Sequence, residues 1–230
     1  MKQHSNNFKN NIKKMGREFK SIITLIDDDT DLEEELYSVS VSYDGNILKS
    51  VMKELKIESS MFIEKGTELK YKLGLLVGSS YEYLDYGKYY VYDYELQEDT
   101  GNYVITCYDR LLYSMVEYKG INETFPMTIR DYINTICSKI DITFANNSDT
   151  FANYDRVLTS DLYAELGYTY RDIFDELAQV TASTICINDD NELEIRYLTN
   201  SSDTINEEYL KDTNVAFGEK YRTSKFNSFE

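Results

Sequence analysis

Histidine, proline and tryptophan are almost absent: the 230 residues include one histidine, one proline and no tryptophan. A nucleophilic triad needs a base beside a serine or cysteine, and the single histidine, His4, lies in the N-terminal segment. The same scarcity argues against histidine-ligated metal sites. Neither a P-loop nor a G-x-G-x-x-G motif occurs. We therefore predict a protein that is not an enzyme, with no catalytic residues, no metal site and no cofactor.

Cysteine is also scarce. Cys107, Cys137 and Cys186 are far apart, lie in apolar surroundings and show no C-x-x-C spacing. An odd number of such cysteines fits neither a zinc site nor a disulfide framework. We predict three buried free thiols, which are typical of a protein that folds in a reducing cytoplasm.

Basic residues are outnumbered, with 24 Lys and Arg against 41 Asp and Glu, and the formal charge is −17. Sequence-independent binding of nucleic acid needs clustered cations that neutralise phosphates, so this balance argues against it. No apolar run reaches the roughly 18 residues that span a bilayer, so no membrane insertion is predicted. The N-terminus has basic residues but no apolar core, which is unlike a secretory signal.

Residues 1–19 are interpreted as a basic N-terminal arm. Phe8, Ile12, Met15 and Phe19 recur at helical spacing, which indicates a modest amphipathic helix. One hypothesis is that this arm docks on a membrane or on an acidic neighbour. The preferred alternative is a terminal helix that is frayed or packed on its own chain, because termini are commonly loose until tied down.

Residues 20–120 have the composition of a β-rich domain. Residues 37–43 read Tyr-Ser-Val-Ser-Val-Ser-Tyr, an alternation that is typical of a strand with two different faces. Many short strands separated by turns favour a barrel or a sandwich, and we predict a β-barrel-like domain followed by a short helix that Asp109 caps. The predicted strands are residues 20–26, 37–43, 53–59, 68–77, 89–96 and 103–108, with Gly101 in the turn between the last two and the helix over 109–118.

Residues 121–200 change to helices followed by short β-like stretches. Thr128 with Asp131, and Thr169 with Asp172, have the spacing of a capping box with Asp in place of Glu. Both helix starts read T-x-R-D, 41 residues apart. We predict two small inserted α/β modules. Their elements are helices over 128–140 and 169–180 and β-like stretches over 141–144, 183–187 and 192–197.

The fold class that follows is α+β, a β-barrel-like domain followed by small inserted α/β modules. Residues 201–230 are polar and show little periodicity, so they are predicted to be a linker or the start of a following domain. The sequence stops without a terminal cap, which indicates a segment of a longer protein.

The densest acidic run is residues 27–35. Asp27, Asp29 and Asp31 have the first spacings of a calcium-binding EF-hand loop. Leu32 stands where that loop needs glycine, and Ser38 stands where it needs the bidentate glutamate, so the match fails. A solvated acidic loop between strands is preferred, and an opportunistic cation site is the alternative.

A tyrosine-rich segment is the clearest candidate for binding. Tyrosine is a good strand former and a common interface residue, because it joins a large apolar ring to a polar tip. We therefore interpret the segment as an assembly surface that contacts neighbouring subunits. The alternative is a sugar-binding aromatic platform. The interface candidates are Tyr81, Tyr83, Tyr86, Tyr89, Tyr90, Tyr92 and Tyr94.

Carboxylates are abundant enough that a pair of them could hydrolyse a glycosidic bond, so a carboxylate-based cell-wall hydrolase is a third and weaker hypothesis. It rests on acidic abundance alone.

The order of these segments resembles the N-terminal part of phage tail-hub and tail-associated lysin proteins of Gram-positive hosts. No catalytic signature is among the stretches that carry the resemblance, and they cover most of residues 20–200. The stretches are 66–77 (GTELKYKLGLLV), 83–94 (YLDYGKYYVYDY), 102–113 (NYVITCYDRLLY), 125–137 (FPMTIRDYINTIC) and 167–197 (GYTYRDIFDELAQVTASTICINDDNELEIRY).

The resemblance implies a virion structural protein of the tail tip, present in the host cytoplasm before assembly. It implies a homotrimer whose β-barrel domains form a hub ring, with the distal tail protein and the tape-measure protein as partners. DNA would pass through the ring without specific binding. A C-terminal fibre or lysin domain would belong to the full-length protein, and the second barrel of a complete hub is missing here.

Overall fold

A computed structural model describes residues 5–13, 16–27, 29–32, 35–46, 48–121, 123–145, 151–161 and 167–197. These residues all fall within one compact unit. None of the helices in these ranges has the length and apolar character that crossing a bilayer requires.

Strands dominate the described residues, and three short helices accompany them. The strands are β1 Phe19–Leu25, β2 Thr30–Leu32, β3 Leu36–Asp44, β4 Ser50–Ser59, β5 Glu68–Val77, β6 Ser80–Leu96, β7 Tyr103–Tyr108, β8 Met127–Thr128, β9 Val157–Leu158, β10 Ser183–Ile187 and β11 Leu193–Tyr197. The helices are α1 Asn6–Asn11, α2 Ile129–Lys139 and α3 Tyr170–Val180, with a 3₁₀ helix, η1, over Arg110–Met115.

One sheet contains nine of the described strands, in the order β11-β10-β4-β7-β6-β5-β1-β2, with β3 also paired to β4. Neighbours in it are antiparallel except β10 and β4, which run parallel where Ile185 lies opposite Ser50. The fold is therefore a sheet-dominated α+β arrangement, as predicted. Within the described ranges no pairing joins β3 to β1 or β2, so the sheet does not close, and the barrel-like part of the prediction is not confirmed.

Strand β6 is longer than predicted, because it begins at Ser80 rather than at residue 89. Its pairing register shifts twice, once where Tyr86 is extra opposite β5 and once where Tyr92 is extra opposite β7. Such bulges interrupt the two-residue alternation that identifies a strand in a sequence. Gly87, at φ 93°, supplies the left-handed backbone of the first bulge.

Two other predicted elements differ in the structure. The predicted helix over 109–118 is the shorter η1, although Asp109 does cap it by accepting from the Leu111 N–H. Residues 141–144 form no strand; Phe144 makes a single bridge to Leu193. The stretch is too short to form a ladder, and its packing contribution comes from Ile142, which is buried.

The buried side chains form two apolar clusters. The strand core is formed mainly by side chains from β1–β7, and Ile23, Leu55 and Ile105 are fully buried in it. The helix core combines side chains of α2 and α3 with those of η1, β10 and β11, and α3 packs directly on η1 and β10. The apolar side chains of α2 and α3 are buried in the helix core, except that Val180, at the end of α3, is 36% exposed. The predicted domain boundaries stay a prediction.

Helix α3 is tied to the beginning of β4 by polar contacts. Asp175 accepts from the Ser50 backbone N–H at 2.8 Å and from the Ser50 hydroxyl at 2.5 Å. Arg171 donates to the backbone carbonyl and the carboxylate of Asp44, each at 3.0 Å, and its side chain is 15% exposed. Together with the β10–β4 pairing, these contacts join the helical region to the strands.

Both predicted helix caps are confirmed, but they differ in completeness. Thr169 and Asp172 form a full capping box, in which the Thr169 backbone N–H donates to the Asp172 carboxylate at 2.8 Å. At α2, the Thr128 hydroxyl accepts from the Asp131 N–H. Among the described contacts of this helix start, the Thr128 backbone N–H does not donate to the Asp131 carboxylate in return. Hydrogen bonds from Thr169 lower the pKa of Asp172.

We expect Asp172→Ala to lower the free energy of unfolding by about 1 kcal/mol at neutral pH, and the matched change Asp131→Ala by roughly half of that. The folded-state pKa of Asp172 is lowered, so its stabilisation is present above pH 3.8 and is lost as the pH falls through the folded pKa. Urea unfolding of both variants at pH 7 and near pH 3 measures this. Equal effects of the two substitutions at pH 7 would contradict the difference between the caps.

The N-terminal helix α1 packs on its own chain. Phe8 is 4% exposed, and Ser5 donates to the Glu82 carboxylate from both its backbone N–H, at 3.0 Å, and its hydroxyl, at 2.6 Å. The helix ends at Asn11, so Phe19 starts β1 instead of continuing the predicted helical face. Met15 and His4 lie outside the described residues. This arrangement agrees with the preferred alternative for the arm.

The acidic run is partly a strand rather than a solvated loop. Thr30–Leu32 pairs with β1, Leu32 is 2% exposed, and the Thr24 hydroxyl donates to the Asp31 carboxylate at 2.6 Å. Burial of Leu32 explains the difference, since it gives the run an apolar anchor. Asp28, Glu33 and Glu34 lie outside the described residues. Across the described ranges, no group of three or more potential metal ligands occurs.

The three cysteines are free and buried, as predicted. Burial raises the pKa of Cys107 to about 12 and also raises the pKa values of Cys137 and Cys186. Thiols with raised pKa values are poor nucleophiles, so these side chains act as small apolar packing groups.

Candidate interaction surface

The tyrosine-rich segment begins beside the N-terminal helix. The rings of Tyr81 and Tyr83 lie 6.2 Å apart, and Tyr83 is 39% exposed. The Tyr81 hydroxyl donates to the Glu18 carboxylate, and this hydrogen bond raises the pKa of Tyr81. The Lys20 ammonium lies 5.9 Å from the centre of the Tyr81 ring. Tyr81 therefore ties the chain entry to β1 to the sheet, and Tyr83 beside it keeps ring surface exposed.

Two of the seven candidates lie in the interior. Tyr89 is fully buried in the strand core, where burial raises its pKa. Tyr90 is 5% exposed, and its hydroxyl accepts hydrogen bonds from Arg110 at 3.1 Å and from Asn191 at 3.2 Å. Its ring lies 5.2 Å from that of Tyr113. Tyr90 thus links the sheet to η1, and neither residue offers ring surface to a partner.

Tyr86 lines a cavity of about 500 Å³ at the place where β1 and β3 face each other across the open side of the sheet. Its ring lies 5.3 Å from that of Tyr71, whose hydroxyl is 3.2 Å from the Ser21 hydroxyl. The lining has aromatic, aliphatic and hydroxyl groups and no charged side chain. It consists of Phe19, Ser21, Val39, Val41, Tyr43, Tyr71, Leu73 and Tyr86.

The last two candidates, Tyr92 and Tyr94, lie near the end of β6, where several aromatic side chains are exposed. Tyr94 is 38% exposed, and its ring lies 4.8 Å from that of Phe62 at an interplanar angle of 88°. Phe62 is 44% exposed and lies 5.5 Å from Tyr103 at 61°. We call Phe62, Tyr94 and Tyr103 the aromatic cluster. Tyr92, beside it on β6, is 55% exposed and packs on Tyr108.

Geometry distinguishes between the two uses proposed for the tyrosines. In the aromatic cluster the rings meet edge to face. They therefore form an uneven surface rather than a flat one on which a sugar ring could stack. Exposed aromatic groups of this kind are typical of protein interfaces. The Lys65 ammonium lies 5.5 Å from the Tyr94 ring and 2.6 Å from the Asp93 carboxylate, which adds a polar rim.

Two residues of the aromatic cluster, Phe62 and Tyr103, are not among the seven tyrosines predicted from the sequence. Phe62 follows β4 in a turn-rich stretch that includes Met61 and Gly66, and Met61 is also 38% exposed. Two large apolar residues in such a turn are a sequence signal for an exposed contact. Nothing in the sequence marks Tyr103 as a contact residue, because a tyrosine at the start of a regular strand is common.

Two carboxylates with unusual surroundings, Asp109 and Asp161, stabilise the fold by accepting hydrogen bonds from its own backbone and side chains. Asp109 is 1% exposed, and burial raises its pKa to about 6, a property that is often found at catalytic sites. Both of its oxygens accept from backbone N–H groups, those of Leu111 and Lys53, each at 3.0 Å. Asp161 likewise accepts from Tyr118 and from other buried donors. Neither carboxylate lines the cavity described above.

No family model and no curated protein sequence matches the chain. Among solved structures, the fold is similar to that of the 43 kDa tail protein of prophage MuSo2 from Shewanella oneidensis, with a TM-score of 0.52 and 12% identity over 80% of this chain and 56% of that one. The prophage tail protein gp18 from Listeria monocytogenes EGD-e has a TM-score of 0.47 and 8% identity, over 77% of this chain and 50% of that one. The chain therefore spans about half the length of each.

Proposed function

We propose that this chain is a structural protein of a bacteriophage or prophage tail and that it has no catalytic activity. The observation that carries the proposal is the likeness of its fold to that of the Shewanella oneidensis prophage tail protein. The scarcity of histidine and the use of Asp109 for backbone capping are in agreement with it.

At finer detail, we propose a place in the hub ring of the tail tip. In this proposal three copies form a ring that continues the tail tube, beneath the distal tail protein, and the barrel-like part of each copy encloses the DNA channel. A net charge of −17 supports passage of DNA without binding, because an acidic wall does not neutralise phosphates. Because the chain spans about half of each tail protein above, the rest of the ring, and any fibre or lysin domain, would come from elsewhere in the full-length protein.

The aromatic cluster is the surface that we assign to contact with a neighbouring tail protein. Tyrosine and phenylalanine rings that pack edge to face and remain more than a third exposed lose water when a partner covers them, which stabilises association. The five exposed or half-exposed tyrosine candidates, Tyr81, Tyr83, Tyr86, Tyr92 and Tyr94, remain interface candidates in this proposal.

Complementation of a phage or prophage whose copy of this gene is deleted tests the proposal. We expect the deletion to yield particles without a complete tail tip, and the wild-type gene to restore them. Tyr94→Ser should lower the incorporation of the protein into purified particles by about tenfold, as loss of an interface anchor does. The matched control is Tyr154→Ser, since Tyr154 is also 38% exposed but lies outside the aromatic cluster.

Normal tails in the absence of the gene would overturn the structural role. Equal incorporation of the Tyr94 and Tyr154 variants would overturn the assignment of the aromatic cluster while leaving the role in the tail. Retention of the purified chain on cell-wall glycans, lost in Tyr94→Ser, would instead favour the sugar-binding alternative. Clearing of a cell-wall gel would favour the hydrolase.

A further inference from the structure

Strand β3 has an edge that is unpaired among the residues that the structure describes. It pairs with β4 on one side, and none of the described residues pairs with its other side. Natural proteins usually guard such edges with lysine, proline, inward-pointing charges or bulges. From Ser38 to Tyr43 this edge has none of these, and its only irregularity is the bulge at Tyr37. An edge of this kind is a template for another strand.

The sequence of this edge is self-complementary. Residues 37–43 read the same in both directions about Ser40. When two copies of such a strand pair antiparallel about a two-fold axis at Ser40, each residue meets a residue of its own type: serine 38 meets serine 42, valine 39 meets valine 41, and tyrosine 37 meets tyrosine 43. Isologous contacts require this property, because one surface must fit itself.

The side chains on the two faces of β3 suit this pairing. Ser38 and Ser42 are exposed on one face and donate to Glu58 and Glu54 of the neighbouring β4. On the other face Val39 and Val41 line the uncharged cavity and are only half-buried. Pairing would bring the valines of a second copy beside them and remove more of their apolar surface from water.

Charge does not oppose the contact locally, although each chain is acidic. Residues 36–43 include no charged side chain, and Asp44, at the end of β3, would lie opposite Leu36 of the second copy rather than opposite another carboxylate. Arg171 binds the Asp44 carboxylate at 3.0 Å, which offsets its charge. The remaining repulsion is long-range, so added salt should strengthen the contact by screening.

We propose that β3 is a homotypic interface, at which a second copy of this chain adds its own β3 antiparallel across a two-fold axis at Ser40. The proposal does not rest on the tail function or on the three-fold ring proposed above. A ring of three uses two different surfaces of each copy, whereas this contact uses one surface twice. A protein with only the β3 contact would be a dimer, and the smallest closed assembly with both contacts is a hexamer.

Single cysteine substitutions test the register. Antiparallel pairing brings the Cα atoms of position 40 in the two copies within about 4.5–5.5 Å, a separation that a disulfide can span. We therefore expect Ser40→Cys to form a covalent dimer under mild oxidation. Ser38→Cys and Ser42→Cys should each fail alone and form one when mixed, because position 38 meets position 42. The native cysteines are buried and free, so they do not compete.

A charge variant tests whether the contact governs association of the full chain. Ser40→Glu puts a carboxylate opposite Lys56 of its own β4, which suits the fold, but sets two carboxylates against each other at the axis. We expect it to raise the dissociation constant by at least about tenfold, whereas the control Ser80→Glu, at an exposed position of β6, leaves it unchanged.

Light scattering over a concentration series at low and moderate salt gives the mass of each variant. A dimer or hexamer that Ser40→Glu reduces to a monomer or trimer, together with the cysteine pattern, supports the proposal. A wild-type monomer or trimer at all concentrations would overturn it. So would a covalent dimer from Ser38→Cys alone, which would indicate a different register.

Discussion

Replacement of Asp161 by alanine is expected to lower the free energy of unfolding by about 3 kcal/mol. The carboxylate lies at the centre of a polar group within the helix core. It accepts from the Tyr118 hydroxyl at 2.6 Å, from the Tyr132 hydroxyl at 3.1 Å and from the Ile121 backbone N–H at 3.2 Å. Tyr118 is 2% exposed and Tyr132 is fully buried, so both hydroxyls lie where a lost acceptor is costly.

The energetic cost arises from donors that stay buried without their acceptor. The two hydroxyls lie 3.0 Å apart and can still bond to each other, but only one of them can donate in that pair. The Ile121 N–H loses its charged acceptor as well. Because Asp161 follows β9, the same substitution also removes one contact between that segment and the chain before α2. Burial and the bond to Asp161 raise the pKa of Tyr118, so both hydroxyls stay protonated.

Urea unfolding followed by circular dichroism measures this effect. Asp155→Ala is the matched control, because Asp155 is exposed in the same segment, and it should change the free energy of unfolding by less than about 0.5 kcal/mol. Asp161→Asn should cost less than Asp161→Ala, since the amide retains one acceptor oxygen. An effect of Asp161→Ala as small as that of the control would show that the polar group does not stabilise the fold.

Asp109 is expected to make a contribution to the stability of the fold that declines with rising pH. Its pKa rises from 3.8 to about 6 on folding, chiefly because burial penalises the charged form. One pKa unit corresponds to about 1.4 kcal/mol, so the folded chain binds this proton more tightly by about 3 kcal/mol. The corresponding stability is fully present below pH 3.8 and is lost as the pH rises through about 6.

Comparison with Asp109→Asn isolates this contribution, because asparagine has the shape of the protonated acid and does not titrate. The difference in unfolding free energy between wild type and variant should change by about 2–3 kcal/mol between pH 4 and pH 7, with the wild type relatively more stable at pH 4. Other carboxyl groups are shared by both proteins, so they cancel. A difference that is constant over this range would contradict the raised pKa of Asp109.

Much of the local structure could be predicted from the sequence. The bounds of β5 and β7 agree with the predictions for residues 68–77 and 103–108, because these strands alternate regularly and end at turn residues. The caps at Thr128 and Thr169 were also predictable, since a capping box involves residues that are close along the chain. Bulges were not predictable, because an extra residue such as Tyr86 is defined only by the partner strand.

The candidate surface was predicted less well than the strands. Seven tyrosines within one segment look alike in a sequence, but Tyr89 and Tyr90 are buried while Tyr92 is more than half exposed. The bulges of β6 change which face each ring occupies, so position along the strand does not give its environment. Phe62, which completes the aromatic cluster, comes from a different part of the chain.

The sequence by itself determined the regular strands such as β5 and β7, the two capped helices α2 and α3, the three apolar thiols and the acidic charge, since each depends on residue chemistry or on spacing within a few residues. Only the tertiary structure decided that β10 joins the sheet beside β4, that no described strand pairs with the outer edge of β3, and that Asp109 and Asp161 accept from backbone and hydroxyl donors. These features arise from contacts between residues far apart in the chain, and local patterns do not specify them.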